Sequence, residues 1–257
     1  MEYVNYQTAN RVATITLNRP DKRNALNAQV VTELKQAFTQ AAEDAQAKVV
    51  VLQAAGKVFC AGADLGYIQQ LQKNTYQENL ADSSHLKELF YQIYTHPKVV
   101  IGKIHGHAIA GGAGLAAVCD HTITVPEAKF GYTEVRIGFV AAIVMAFLLR
   151  KIPEGKAREL LLSGDLITAQ YAQQIGLVNT VVAPDQLDAA VEQYAQLLIQ
   201  KNSGQSMAIT KTMIAALQHM PIEAGLQYAA EQNAHARATD DCKKGIASFL
   251  DKTTPAW

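Results

Sequence analysis

The chain has few cysteines, no charge imbalance and no long apolar run, and each absence removes a class of protein. Cys60, Cys119 and Cys242 are odd in number and widely spaced, which suits neither a disulfide framework nor a closed zinc site. They read as buried thiols. Basic and acidic residues number 23 each, so there is no basic surplus to hold nucleic acid, and any anionic ligand must be bound by local groups. Nothing approaches the roughly 18 consecutive apolar residues of a membrane span, and Met1 to Asn10 is polar. These features predict a cytoplasmic protein with no membrane and no nucleic acid among its partners. A hydrophobic content of 49% and a charged content of 18% exclude disorder, and 257 residues accommodate one large domain, alone or with a small appendage.

What is present alternates strand and helix signals through the first half. Arg11 to Leu17 reads as a strand closed by Asn18-Arg19-Pro20-Asp21, and Val30, Val31, Leu34 and Phe38 then recur at helical spacing. Lys48 to Gln53 reads as a short buried strand, Ser83 to Tyr94 as a helix, and Val99 to Ile104 as another strand. This β-α-β order predicts parallel pairing. Gly106 to Gly114 is rich in glycine and alanine and runs into a predicted helix, whose first amides would have no intrahelical partner and could face a ligand. Beyond about residue 140 the pattern is mostly helical: 141–149, 157–162, 169–175, 187–199 and 206–217. No linker separates the halves and no fixed-period repeat occurs.

Three segments carry the chemistry when taken together: Val58 to Leu65, Gly106 to Gly114, and Lys129 to Gly138. An acyl thioester becomes an enolate-like anion when a proton leaves Cα or a nucleophile adds at Cβ. That oxygen needs two fixed N–H donors, and small residues such as Ala63 and Gly111 let a backbone approach a carbonyl oxygen closely, for about 3 kcal/mol per donor. Glu134 would move the protons, in a setting apolar enough to raise its pKa. Histidines offer no rival centre: His105, His107 and His121 come with neither a nucleophile elbow nor HExxH spacing. The glycines of 106–114 do not give the G-x-G-x-x-G spacing of a nicotinamide site either.

Several motifs match one family in order and spacing. Asn18-Arg19-Pro20 with Asn24-Ala25-Leu26-Asn27, Phe59-Cys60-Ala61-Gly62-Ala63-Asp64, Ala110-Gly111-Gly112 followed by Cys119-Asp120, Phe130-Gly131 with Glu134, Gly164 with Ala169, and Gly176-Leu177-Val178 together resemble the crotonase (enoyl-CoA hydratase/isomerase) superfamily along essentially the whole chain. The resemblance implies an α/β fold with a ββα-spiral core, in place of the plain doubly wound sheet that periodicity alone suggests, and a C-terminal α-helical subdomain. The expected division is 1–195 for the core and 196–257 for the helical, trimerising part. It further implies an acyl-CoA substrate with no separate cofactor or metal, an oxyanion hole from the Ala63 and Gly111 amides, and Glu134 as acid/base. Ala25, Leu26, Ala61, Asp64, Leu65 and Gly114 are expected along the acyl-CoA, in a homotrimer or homohexamer. Lys252, in the closing segment Gly245 to Lys252, is either a ligand of the coenzyme A phosphates, often those of a neighbouring subunit, or a solvated helix-end lysine.

The chain departs from the family pattern at one position of consequence. Family hydratases carry a second glutamate in the turn after the paired glycines, where this chain has Gly114. A single carboxylate suffices for moving a double bond from the 3- to the 2-position. Yet Thr133 to Ala142 resembles the bacterial methylglutaconyl-CoA hydratase-like branch, which also tends to lack that glutamate and whose substrate carries its own carboxylate. Arg136 could pair with that carboxylate or form a structural ion pair. Asp64 and Asp120 read as caps or buried hydrogen-bonding groups, with Asp64 also a candidate second acid. Phe139, Val140, Met145 and Phe147 are candidates for an acyl pocket, Met145 and Phe147 equally for helix core. Expected functions are therefore enoyl-CoA hydration, Δ3-Δ2 isomerisation, or acyl-CoA binding without turnover.

Overall fold

The computed structural model describes residues 1–257. Val4–Ala9 (β1) and Val12–Leu17 (β2) form a hairpin, antiparallel from Val4 opposite Leu17 to Ala9 opposite Val12. Asn27 then caps Ala28–Glu43 (α1) by accepting from the Val30 amide, and α1 buries Val30, Val31, Leu34, Ala37, Phe38 and Ala41 along one stripe. Val49–Ala54 (β3) and Val99–Ile104 (β4) add in parallel, as near-continuous apolar runs suited to burial on both faces. Between them lie Leu65–Leu71 (α2) and Tyr76–Tyr94 (α3), the latter opened by a reciprocal capping box of Thr75 and Glu78.

From here each turn of chain gives one strand to each of two sheets. Ala108–Ile109 (β5) precedes Gly111–Val118 (α4), and His121–Thr124 (β6) precedes Lys129–Gly131 (β7). After Ala142–Lys151 (α5) and Glu154–Ser163 (α6) come Ile167–Thr168 (β8), Ala169–Gln174 (α7) and Thr180–Val181 (β9). The large sheet is ordered β1-β2-β3-β4-β6-β9 and the small one β5-β7-β8. This is the ββα spiral that the family resemblance implies, and it corrects the single doubly wound sheet that periodicity alone suggests. The strand-after-strand steps use pieces of two or three residues, too short to show a period.

Four further helices complete the chain: Leu187–Lys201 (α8), Gly204–Leu217 (α9), Ile222–Ala238 (α10) and Asp240–Leu250 (α11). The division expected at 195/196 falls inside α8, which is unbroken. No helix is long and apolar enough to cross a membrane. The core is one cluster of buried apolar side chains that includes Cys60 and Cys119. Burial pushes both thiols up to about 12, so they behave as apolar filling.

Candidate active site

The loops that leave β2, β3 and β4 meet at the C-terminal ends of these parallel strands, where ligand crevices of open α/β sheets form. Leu26 makes a parallel bridge with Ala63: the Leu26 amide donates to Gly62 O at 2.7 Å and the Asp64 amide to Leu26 O at 2.8 Å. In such a bridge the flanked residue turns its own N–H to the other side. Ala63 N is therefore aimed away from Leu26 and has no backbone acceptor.

Gly62 holds this corner at φ +88°. A Cβ placed on it would lie 2.7 Å from Ala110 Cβ and 3.4 Å from Gly111 N, so the Ala63 loop and the start of α4 touch through this glycine. Ala110 adopts φ 53°, ψ −122° and donates its amide to Gly131 O at 2.7 Å. A non-glycine residue in that conformation stores about 1–3 kcal/mol of strain, here at the residue that orients the next amide. Gly111 N opens α4 and also lacks a backbone acceptor. Two free amides thus stand on adjoining loops.

The same Ala110 to Gly131 bond brings the end of β7 beside α4, and Glu134 follows three residues later at the start of a 3-10 turn over Glu134–Ile137. Its side chain is half-buried, and Oε2 is buried with no hydrogen-bond partner. Burial raises the carboxyl above its ordinary value, against a smaller opposing effect of its own backbone N–H. This half-buried carboxyl, raised above its ordinary value, sits on the segment that the Ala110 to Gly131 bond ties to the start of α4.

The family profile described as "Enoyl-CoA hydratase/isomerase" matches residues 7–257. The chain belongs to the enoyl-CoA hydratase/isomerase family. A Thermus thermophilus protein named among the enoyl-CoA hydratases is 41% identical over 246 residues, covering 95% of this chain and 96% of that one. The (E)-benzylidenesuccinyl-CoA hydratase of Thauera aromatica is 32% identical over 261 residues, covering 99% and 98%. The crystal structure of an enoyl-CoA hydratase from Mycobacterium smegmatis superimposes with a TM-score of 0.93 at 30% identity, covering 99% and 98%. This chain is thus a crotonase-fold enzyme of that family.

The other candidate residues of this hydratase/isomerase-family enzyme have varied surroundings. Ala25 and Leu26 are buried, Ala61 is half-buried, and Leu65 is exposed at the first turn of α2. Asp64 is committed elsewhere: Oδ2 accepts from Arg19 at 2.8 Å and Oδ1 caps α2 through the Gly66 and Tyr67 amides. The Arg19 hydrogen bond, foremost, lowers its pKa, which removes it as a second acid. Arg136 pairs with Asp165 in an exposed ion pair. Phe147 stacks against Phe90 at 6.1 Å between ring centroids, as helix core, whereas Phe139 and Val140 are exposed.

Gly114 is not an open position. A Cβ there would meet Val144 Cγ1 at 2.2 Å and Phe90 Cε1 at 2.9 Å, so the start of a second carboxylate side chain is already filled by apolar packing from α5 and α3. Lys252 is exposed beyond the end of α11. The tail after it reaches the β1–β2 turn through Arg11 and Trp257 O, at the edge where β2 begins. Ala63 and Gly111 stand on loops at the opposite, C-terminal end of these strands. His105 bonds Gly56 O at 2.9 Å, His107 accepts from the Lys129 amide at 3.2 Å, and His121 stacks on Tyr194.

The sequence reading missed the packing of Val144 and Phe90 on Gly114 and the Arg19 clamp on Asp64. Both are contacts between segments far apart in the chain, for which a single sequence carries no local signal.

Proposed function

We propose that this enzyme adds water reversibly to a 2-enoyl-CoA thioester. The observation that carries the reading is Glu134, a half-buried carboxylate with one oxygen unpaired, on a segment stitched to the loops of the two free amides. The Ala63 and Gly111 amides accept the charge that develops on the thioester oxygen, and Glu134 exchanges the proton between water and Cα. Coenzyme A is part of the substrate, and the reaction runs without metal or nicotinamide. Ala25, Leu26, Ala61 and Leu65 lie along the acyl-CoA.

The packing of Gly114 favours a second reading, Δ3-Δ2 isomerisation, since one carboxylate and an oxyanion hole suffice to carry a proton from one carbon to another. The names of the relatives favour hydration. Branched or carboxylated acyl groups such as 3-methylglutaconyl are the preferred substrates under the family-branch likeness. The assembly is a homotrimer or a pair of trimers under the family likeness, and α10 and α11 expose Ile222, Leu226, Ile246, Phe249 and Leu250, apolar side chains that such an interface would cover. In it Lys252 reaches the coenzyme A phosphates of a neighbouring subunit.

The test is product identity. Purified enzyme is incubated with crotonyl-CoA, 3-methylglutaconyl-CoA and a 3-enoyl-CoA in parallel, without added metal or nicotinamide. Gain of one water on a 2-enoyl ester establishes the hydratase and ranks its acyl groups. Unchanged mass with a shifted double bond on the 3-enoyl ester alone makes it an isomerase. Binding of all three with no turnover would leave an acyl-CoA-binding scaffold.

A further inference from the structure

Three buried side-chain atoms in the chain lack a hydrogen-bond partner: Asn79 Oδ1, Tyr132 Oη and Glu134 Oε2. Two of the three sit two residues apart on the segment that carries the acid/base. Tyr132 is 1% exposed, so its hydroxyl is withdrawn from bulk water, and it satisfies no protein acceptor in return. Buried hydroxyls without a partner are uncommon because they cost stability, and each calls for an explanation. The ring alone would be served as well by phenylalanine.

The site has a use for such a hydroxyl. Attacking water must be oriented as well as deprotonated, and one carboxylate gives one point of attachment. A second carboxylate at position 114 is blocked by Val144 and Phe90. Tyr132 has an unpartnered O–H donor and Glu134, whose charge acts on it, an unpartnered acceptor oxygen, the two functions that a water molecule can satisfy with its own oxygen and one hydrogen. Burial, then the neighbouring Glu134 charge, raises the phenol above its ordinary pKa, so it is a donor at every working pH.

Resting on the hydratase reading, we propose that Tyr132 is a positioning residue whose hydroxyl, together with Glu134, holds the attacking water in place of a second carboxylate. The water donates one O–H to Glu134, accepts the Tyr132 O–H, and turns its remaining lone pair to Cβ. As the C–O bond forms, the water O–H bond breaks and its proton passes to Glu134. The Cα=Cβ electron pair shifts toward the thioester oxygen at the Ala63 and Gly111 amides. The enolate then returns, taking the proton from Glu134 at Cα. Tyr132 keeps its own proton throughout.

The experiment compares the full-length wild-type enzyme with Tyr132→Phe in two reactions. One is hydration of crotonyl-CoA. The other is exchange of solvent deuterium into Cα of butyryl-CoA, which uses Glu134 and the amides but adds no water. Hydration kcat is expected to fall on the order of tenfold or more with KM within about twofold, while exchange stays at the wild-type rate. The melting temperature should hold or rise, since only an unpaired hydroxyl is lost. Equal hydration rates would reduce Tyr132 to packing and overturn the proposal. A parallel fall in exchange would place its effect on Glu134 instead and overturn it too, as would a variant that fails to fold, because that would mean the hydroxyl has a protein partner. A wild-type enzyme that exchanges Cα protons but hydrates no ester would sink the hydratase reading itself, a result seen before the variant is compared.

Discussion

Glu134 holds a carboxylate in a place that disfavours its charge, and two consequences follow at the scale of that residue. Its pKa is raised from 4.5, so the folded state binds a proton more tightly than the unfolded chain. The stability this adds is full below the ordinary glutamate value and is lost as pH rises from there through the raised folded-state value, so none is left at neutral pH. Glu134→Gln should melt at a higher temperature than wild type at pH 7, with the gap closing toward pH 4; a constant gap would contradict it. As the base must be ionised to take a proton from water, the acid limb of kcat/KM should have its midpoint above 4.5. Gly114→Ala tests the packing beside it. The added methyl would lie 2.2 Å from Val144 Cγ1, and overpacking of this kind costs about 1–3 kcal/mol, so urea unfolding should show that loss and Val144→Ala should recover part of it. Glu134, Ala63 and Gly111 could be proposed from the sequence because they sit in short motifs whose residue types suit the chemistry. Tyr132 and Val144 could not. An unpaired hydroxyl and a filled gap are properties of the packed chain and leave no mark on local spacing.

At the scale of elements, the helical half is tied to the sheet by two buried cations, Lys48, which donates to Ile199 O and Asn202 O of the α8 end, and Lys211. Lys211 of α9 is 7% exposed and reaches Asp120 Oδ2 at 2.6 Å, Ile93 O at 3.1 Å and Lys98 O at 3.3 Å. Asp120 also accepts from the Val100 amide of β4 at 2.7 Å. Lys211→Met should destabilise the fold by about 1–3 kcal/mol in chemical denaturation, because the Ile93 and Lys98 carbonyls lose a charged donor while Asp120 is exposed enough for water to replace it, and adding Asp120→Asn should cost less than the two changes summed. Long, periodic helices such as α1 and α8 were readable, as were the short apolar run of β3 and the helical second half. β1 was not, because its outward residues Asn5 and Gln7 and its terminal position read as a polar tail, whereas Val4 is buried against the sheet. The pieces β5, β8 and β9, two residues each, are held by pairing partners supplied from distant turns of chain.

For the whole molecule, the two-sheet spiral gathers three loops at one end of the parallel strands and leaves α10 and α11 to present apolar side chains outward. Light scattering on the eluted protein should report a trimer or a multiple of it. Phe249→Asp, at a side chain 83% exposed, should shift the enzyme to smaller species without unfolding the core, and an unchanged mass would argue against this face as the interface. The central claim is the chemistry of Glu134. The most direct test is hydration of crotonyl-CoA in isotopically labelled water, wild type beside Glu134→Gln, followed by the mass of the product. A wild-type product carrying one labelled water, formed at least about 100-fold more slowly by the variant, is the predicted result. Labelled product formed at the wild-type rate by Glu134→Gln would contradict the assignment.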